Sequence, residues 1–330
     1  MPRAYGVAHA QSGRACPWAL SAQWYKRDLR TRRLCGMGKK SRKSSKDVIA
    51  KRLAKAQAAA FVPRPYEGLP FEVDIVSLKE LVPAATAAAK LKDEFGGDEV
   101  LIASLLPSAW QAHKRHDGVI LGGLQVPVSS PDPSRDLAAA LLEVKDMEPG
   151  GFVGATSSPG TGPRLQDILD LDAPFKVRVH ETFDYWIPQD GSLDDDEDTQ
   201  AAIEQANNLI SPTDKLVEAE GAYWTEMGDG RYVRWAIGED EDTVMDALAR
   251  LHADGKNTLG GIGRYLGTFR TQGIVIPVWE VGADVTADDV DAVLGDFAEL
   301  LAQALKNTEP LSADERRARA GVVSRQLTIR

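Results

Sequence analysis

Residues 221–255, GAYWTEMGDGRYVRWAIGEDEDTVMDALARLHADG, change their period partway through. Ala222, Trp224 and Glu226 alternate with Tyr223, Thr225 and Met227. After a turn expected at Asp229-Gly230, Val233, Trp235 and Ile237 alternate with Tyr232, Arg234 and Ala236. A period of two puts alternate side chains on opposite faces, so both runs read as half-buried strands of a hairpin. Val244, Leu248 and Leu251 then fall on one face of a helix that Gly255 closes. The strand face carrying Trp235 is expected to pack on the helix face carrying Leu248.

The same order, two strands and then a helix, reads up to four times. A first unit joins apolar residues 100–106, a connection through Trp110, a turn at Asp117-Gly118 and apolar residues 119–126. Its helix starts near Ser134 and carries Leu137, Leu141 and Val144. A second unit is PFKVRVHETFDYWIP (174–188), an acidic loop and a helix over about 199–209. The fourth is RYLGTFRTQGIVIPVWEV (264–281), turning near Gln272-Gly273. Behind a Thr286–Asp289 capping box, Val290, Val293, Leu294, Phe297, Leu300 and Leu301 form the strongest amphipathic stripe in the chain. Upstream, Ser77 with Glu80 three residues on reads as the cap of a short helix that Pro83 interrupts.

Hairpins dominate, and no strand–helix–strand run demands a parallel crossover. The fold class is therefore α+β with mainly antiparallel sheet. Glycine-rich residues 147–163 form the clearest internal break, and a body of two lobes would divide there. The repetition fits either an old duplication or chance recurrence of a common unit.

Charge adds an asymmetry that periodicity does not show. Residues 1–60 hold fifteen Lys or Arg and two acids, a formal +13; the remaining 270 hold 24 Lys or Arg and 47 acids, a formal −23. Residues 1–60 are expected to be a disordered basic arm, frayed helix over 44–60, and residues 61–330 the compact body. Met37 opens MGKKSRKSSKDVIAKRL like a natural start. Residues 1–36 are thus expected to come from a start codon placed too far upstream, the alternative being a genuine extension. Within the arm, Lys39, Lys40, Arg42, Lys43 and Lys46 are the candidate contacts to the phosphates of RNA or of a ribosome.

Candidate chemistry is sparse. Cys16 and Cys35, the only cysteines, lie in the arm, so the body offers no thiolate zinc site or cysteine nucleophile. His113-Lys114-Arg115-His116 has metal-binding spacing but no third or fourth ligand, and reads as a solvated basic connection. Asp194-Asp195-Asp196-Glu197-Asp198 lacks the alternation and glycine of a calcium loop, and reads as a solvated helix start. Gly260-Gly261-Ile262-Gly263 precedes a strand pattern, not a helix, and reads as a turn. Tyr185, Trp186, Tyr223, Trp224, Trp235 and Trp279 fall in expected strands, where they either pack in the core or, beside Arg234, Arg264 and Arg270, stack on bases. The arginines Arg316, Arg317, Arg319 and Arg325 follow a Ser312–Glu315 capping box. They either clamp onto the acidic body or contact phosphate. No cofactor or metal is expected. No apolar run nears the ~20 residues of a membrane span, and residues 1–36 lack a secretory core, so the expected location is cytoplasmic.

The segments RPYEGLPFEVD (64–74), LVPAATA (81–87), SRDLA (134–138), GPRLQDILDLDAPF (162–175), ALARLHADG (247–255), PVWEV (277–281) and PLSADERRARAGVVSRQLTIR (310–330) together resemble an uncharacterised actinobacterial family, DUF5926. The resemblance is collinear from about Arg64 onward and implies no catalytic residues. Two functional expectations remain. The first is a non-catalytic cytoplasmic binding or adaptor protein with a basic arm. The second is an enzyme with an unrecognised acid–base site, such as a hydrolase of a phosphorylated small molecule. A pocket joining carboxylates and arginines would favour the second, and an exposed aromatic patch the first.

Overall fold

In the computed structural model, which describes residues 61–156, 160–188 and 197–324, the alanine-rich segment ATAAAK is not a helix but strand β1 (Ala85–Lys90). Alanine favours helix by propensity. Here tertiary packing wins, because Ala85, Ala87 and Ala89 are each at most 8% exposed and lie within the main core. β1 sits between β2 (Glu99–Ala103) and β6 (Val177–Val179), antiparallel to both. The first sheet is completed by β3 (Ala112–Lys114), β4 (Ile120–Gly123) and β5 (Phe152–Val153), in the order β5-β3-β4-β2-β1-β6.

The second sheet contains β7 (Thr213–Lys215), β8 (Ala222–Met227), β9 (Gly230–Trp235), β10 (Gly263–Thr271) and β11 (Ile274–Val281), ordered β10-β11-β9-β8-β7. All its pairings are antiparallel. The seven described helices are α1 (Glu72–Glu80), α2 (Pro133–Val144), α3 (Leu165–Ile168), α4 (Glu197–Asn207), α5 (Glu241–Ala253), α6 (Ala287–Lys306) and α7 (Ala313–Ser324). The fold is α+β, with mostly antiparallel sheet.

Three cores explain the sequence pattern. The first joins Ile75, Val76 and Leu78 of α1 and Leu137 and Leu141 of α2 to Tyr223, Ile276 and Val278 of the second sheet. On that sheet's other face, Trp224, Val233, Trp235, Val275 and Trp279 pack with Val244 and Leu248 of α5 and with Val290, Leu294 and Phe297 of α6. The strands of the second sheet are thus covered on both faces and not half-buried. A smaller cluster, including Leu106, Leu121, Phe183 and Tyr185, covers the remaining face of the first sheet.

Several expectations are corrected in detail. Met227 pairs with Gly230, so the two-residue turn is Gly228-Asp229; Gly228 takes the positive φ, +61°, that such a loop favours. Ser77 lies inside α1, whose start at Glu72 has no side-chain cap, and Pro83 follows the helix. In the first unit, β2 and β4 are parallel, and it is the short β3 that forms the hairpin with β4. The second unit is no hairpin: β6 joins the first sheet and Asp184–Trp186 is a 3-10 turn. Apart from that turn and the burial of both strand faces, the third and fourth units form as expected, and so does the Thr286–Asp289 box. Residues 147–163 include β5, which pairs with β3 in the first sheet.

Candidate functional site

Asp132 and Asp136 are two carboxyls one helical turn apart with opposite surroundings. Pro133 fixes the first turn of α2, and Asp132 caps it by accepting from the Arg135 N–H. The Asp132 carboxylate, 2% exposed, also accepts from Arg135 Nε at 3.2 Å, Arg164 Nε at 3.0 Å and Arg164 Nη2 at 3.1 Å. Arg164 itself precedes α3, its N–H donating to Asp167. One buried carboxylate therefore ties the starts of two helices. Asp136 is 4% exposed, and apart from the neighbouring Ser130 hydroxyl its oxygens find no hydrogen-bond partner among the described residues. Burial pushes its carboxyl above the ordinary value; Ser130 opposes the rise, Asp132 adds to it and Arg135 opposes it. Nearby, Gln166 donates to the Pro65 and Glu67 carbonyls and accepts from Ser134 Oγ at 2.7 Å. Residues 64–67, 130–136 and 164–167 are thereby drawn together.

A buried carboxyl whose proton affinity is raised, as at Asp136, is a resource for acid–base chemistry. Substrate access is the difficulty. The two concavities described lie elsewhere. One, of about 660 Å³, is lined by Glu218 with Asp291, Gly295, Asp296 and Glu299 of α6. The other, about 490 Å³, lies among Asp242, Asp246, Pro310 and Arg319.

The exposed feature is at the β5 edge of the first sheet, which no other strand covers among the described residues. Phe152 of β5 is 51% exposed and stacks on Trp110, ring centroids 4.3 Å apart and planes within 13°. Gly151 and Val153 accept from the Lys114 and Gln111 N–H groups of the β3 segment. Alternation along a strand then turns the Phe152 N–H and C=O toward the open edge. Trp110 is presented by a strained turn: Ser108 and Ala109, neither a glycine, both take φ +52°. The turn also presses on β4, since a Cβ at Gly123 would lie 2.5 Å from the Trp110 carbonyl oxygen. A half-exposed aromatic pair, a strand edge unpaired among the described residues and a strained turn therefore coincide.

The structure redistributes the residues singled out from sequence. The His113–His116 connection is not solvated: His113 and Arg115 are buried, and Lys114 Nζ donates to the Lys145 and Met147 carbonyls at 2.8 Å. It runs along β3, where Arg115 holds Asp117 and donates to the Tyr185 carbonyl, while burial lowers the His113 pKa. Among the described residues, no group of three His, Cys, Asp or Glu could hold a metal. Tyr185 and Trp186 lie in the 3-10 turn, not in a strand, and both donate to the Leu105 carbonyl. Tyr223, Trp224, Trp235 and Trp279 are core residues, Arg234 is buried, and Arg264 and Arg270 pair with Glu280 and Glu241. These aromatics therefore form no open stacking face.

Gly260 and Gly261 form the expected turn before β10. Arg319 bonds Asp242 of α5 at 2.6 Å and Arg317 pairs with Asp314, while Ser312 and Glu315 cap α7. Lys39, Lys40, Arg42, Lys43, Lys46, residues 194–196 and Arg325 lie outside the described residues. Sequence reading, which started this helix near Ser134, missed Asp132; an Asp-Pro pair ahead of the apolar stripe is the signal that could have found it. The enclosure of Asp136 and the Trp110–Phe152 stack, between residues 42 positions apart, carry no local signal.

Among the described residues, no helix is long and apolar enough to cross a membrane. No curated protein and no solved structure matches the chain. Residues 65–330 match the model of a family of unknown function, DUF5926, and the chain belongs to that family.

Proposed function

We propose that this is a non-catalytic cytoplasmic binding or adaptor protein that takes an extended segment of a partner protein along the β5 edge. The observation carrying this reading is the half-exposed Phe152, stacked on Trp110 where its own N–H and C=O face outward. A strand added there gains main-chain hydrogen bonds, and the aromatic pair selects an apolar side chain at one position. Photo-crosslinking tests it, with a benzophenone amino acid at position 152 and, as control, at Leu209, which is 65% exposed but off the edge. A recurrent protein adduct at 152 that is missing at 209 supports the reading; equal adducts at both oppose it.

The fifteen Lys and Arg of residues 1–60 support a second contact, to RNA or ribosomes through Lys39, Lys40, Arg42, Lys43 and Lys46. Phosphate contacts of this kind carry no sequence preference and weaken steeply with salt. The enzyme reading would centre on Asp132 and Asp136, and it is weakened by the enclosure of Asp136, 4% exposed.

A further inference from the structure

The segment ADERRARAGVVS forms α7 yet gives it little to bury. Among its described side chains, Ala318 and Val322 are the buried apolar ones, 9% and 1% exposed. Val322 alone of them joins the core beneath α5. By contrast, α6 places Val290, Leu294, Phe297 and Leu301 in that core. A helix of about a dozen residues is marginal by itself in water. Helix α7 therefore depends on what docks it.

Charge supplies what apolar contact does not. Arg319 pairs with Asp242, Nη2 to Oδ1 2.6 Å, and with Asp246, Nε to Oδ1 2.7 Å, two carboxylates one turn apart on α5. At the other end of the contact, Arg250 of α5 donates to the Glu309 carbonyl at 2.5 Å and lies 3.9 Å from a Glu315 carboxylate oxygen. The two helices thus run antiparallel and are tied at both ends by ion pairs. Between the ties the seat is incomplete. The concavity of about 490 Å³ opens along this seam, among Asp242, Asp246, Pro310, Leu311, Arg316 and Arg319. The Asp242 side chain is 84% exposed and that of Arg319 34%, so water and salt reach the pair. Exposed ion pairs hold weakly, and salt screens them.

We infer that α7 is an ionic strap: it opens from α5 as a unit while the core beneath stays folded, and ionic strength sets how often it opens. Opening unwinds α7, because the undocked helix is too short to persist. It bares the seat of Val322 and the Asp242–Asp246 pair, and it frees Arg319. The protein thereby carries a surface that low salt covers and high salt uncovers, independent of partner binding at the β5 edge.

The test is amide hydrogen exchange of the full chain at about 20, 150 and 600 mM sodium chloride, across which the screening length shrinks from roughly 20 Å to about 4 Å. Protection of the α7 amides is expected to fall roughly five- to tenfold over that range, with the α6 amides unchanged as the internal reference. Arg319→Gln keeps polarity without the charge. Its α7 is expected to exchange at the lowest salt as fast as the wild type does at the highest. Val322→Ala trims the apolar anchor but keeps the ion pairs, and is expected to speed exchange by one factor at every salt. Unchanged α6 protection shows that a variant is folded; Asp242→Asn, at the more exposed partner, carries the comparison if Arg319→Gln is not. Wild-type α7 exchange that ignores salt, or that matches α6, would overturn the inference. So would a charge-neutralised variant that keeps the full salt response.

Discussion

Trp235 and Phe297 meet edge to face, ring centroids 6.3 Å apart and planes at 62°, where β9 packs on α6. Trp235 also donates its indole N–H to the Glu220 carbonyl at 2.9 Å, and shares a core with Leu248 of α5. One side chain thus contributes to packing from both helices and satisfies a loop carbonyl. Trp235→Ala is expected to lose about 3–5 kcal/mol, the range for a large core truncation, read as a lowered urea midpoint at unchanged slope. An unaltered midpoint would remove Trp235 from the core.

Asp132→Ala should cost about 2–3 kcal/mol. It removes a helix cap, worth about 1 kcal/mol, and leaves two arginines without their buried partner. Arg135 and Arg164 remain about a quarter exposed and can turn to water, which limits the loss. Urea unfolding measures it, and amide exchange should quicken first in the opening turns of α2 and α3.

Asp136 sets a pH dependence of the opposite sense to most carboxylates. Its folded pKa is raised above the ordinary 3.8 by burial. Below the unfolded value both states hold the proton and the group contributes nothing. As pH rises from there through the folded pKa, the unfolded state releases its proton first and stability falls; the full penalty persists above. Asp136→Asn is therefore expected to melt higher than wild type near pH 8, the advantage shrinking as pH falls toward the unfolded value. A difference independent of pH would show that Asp136 keeps its charge without cost.

Charge reversal of Lys39, Lys40 and Lys43 to Glu tests the proposed polyanion contact. Co-sedimentation of the full-length protein with ribosomes should be strong at about 50 mM salt, fall steeply by about 200 mM, and vanish in the variant. Equal sedimentation of both proteins would place the contact outside this cluster.

The fold was legible where one residue's period and its caps agreed. The 264–281 hairpin and α6 follow from alternation, the Gln272-Gly273 turn and the Thr286–Asp289 box, all set locally. β1 was not legible, because alanine states a helical preference and only its neighbours on both faces make it a strand. The parallel β2–β4 pair was hidden for a related reason: three residues of β3 intervene and take the hairpin role. Burial of both faces of the second sheet was equally invisible, since Tyr223 and Arg234 look polar and yet face α1. Of the candidate sites, Asp132 was missed although the Asp-Pro pair ahead of the helix could have signalled it, whereas Phe152 matters only because the chain returns it to Trp110.

The β5 edge is proposed to bind an extended peptide through Trp110 and Phe152. The most direct measurement is selection from a displayed library of random ten-residue peptides, panned in parallel on the full-length protein and on Phe152→Asp. Extended peptides sharing one aromatic or large aliphatic position are expected, with at least a tenfold loss of affinity on Phe152→Asp and protection of the Phe152 amide from exchange in the wild-type complex. Peptides that bind both proteins equally, or no enrichment on the wild type at all, would contradict it.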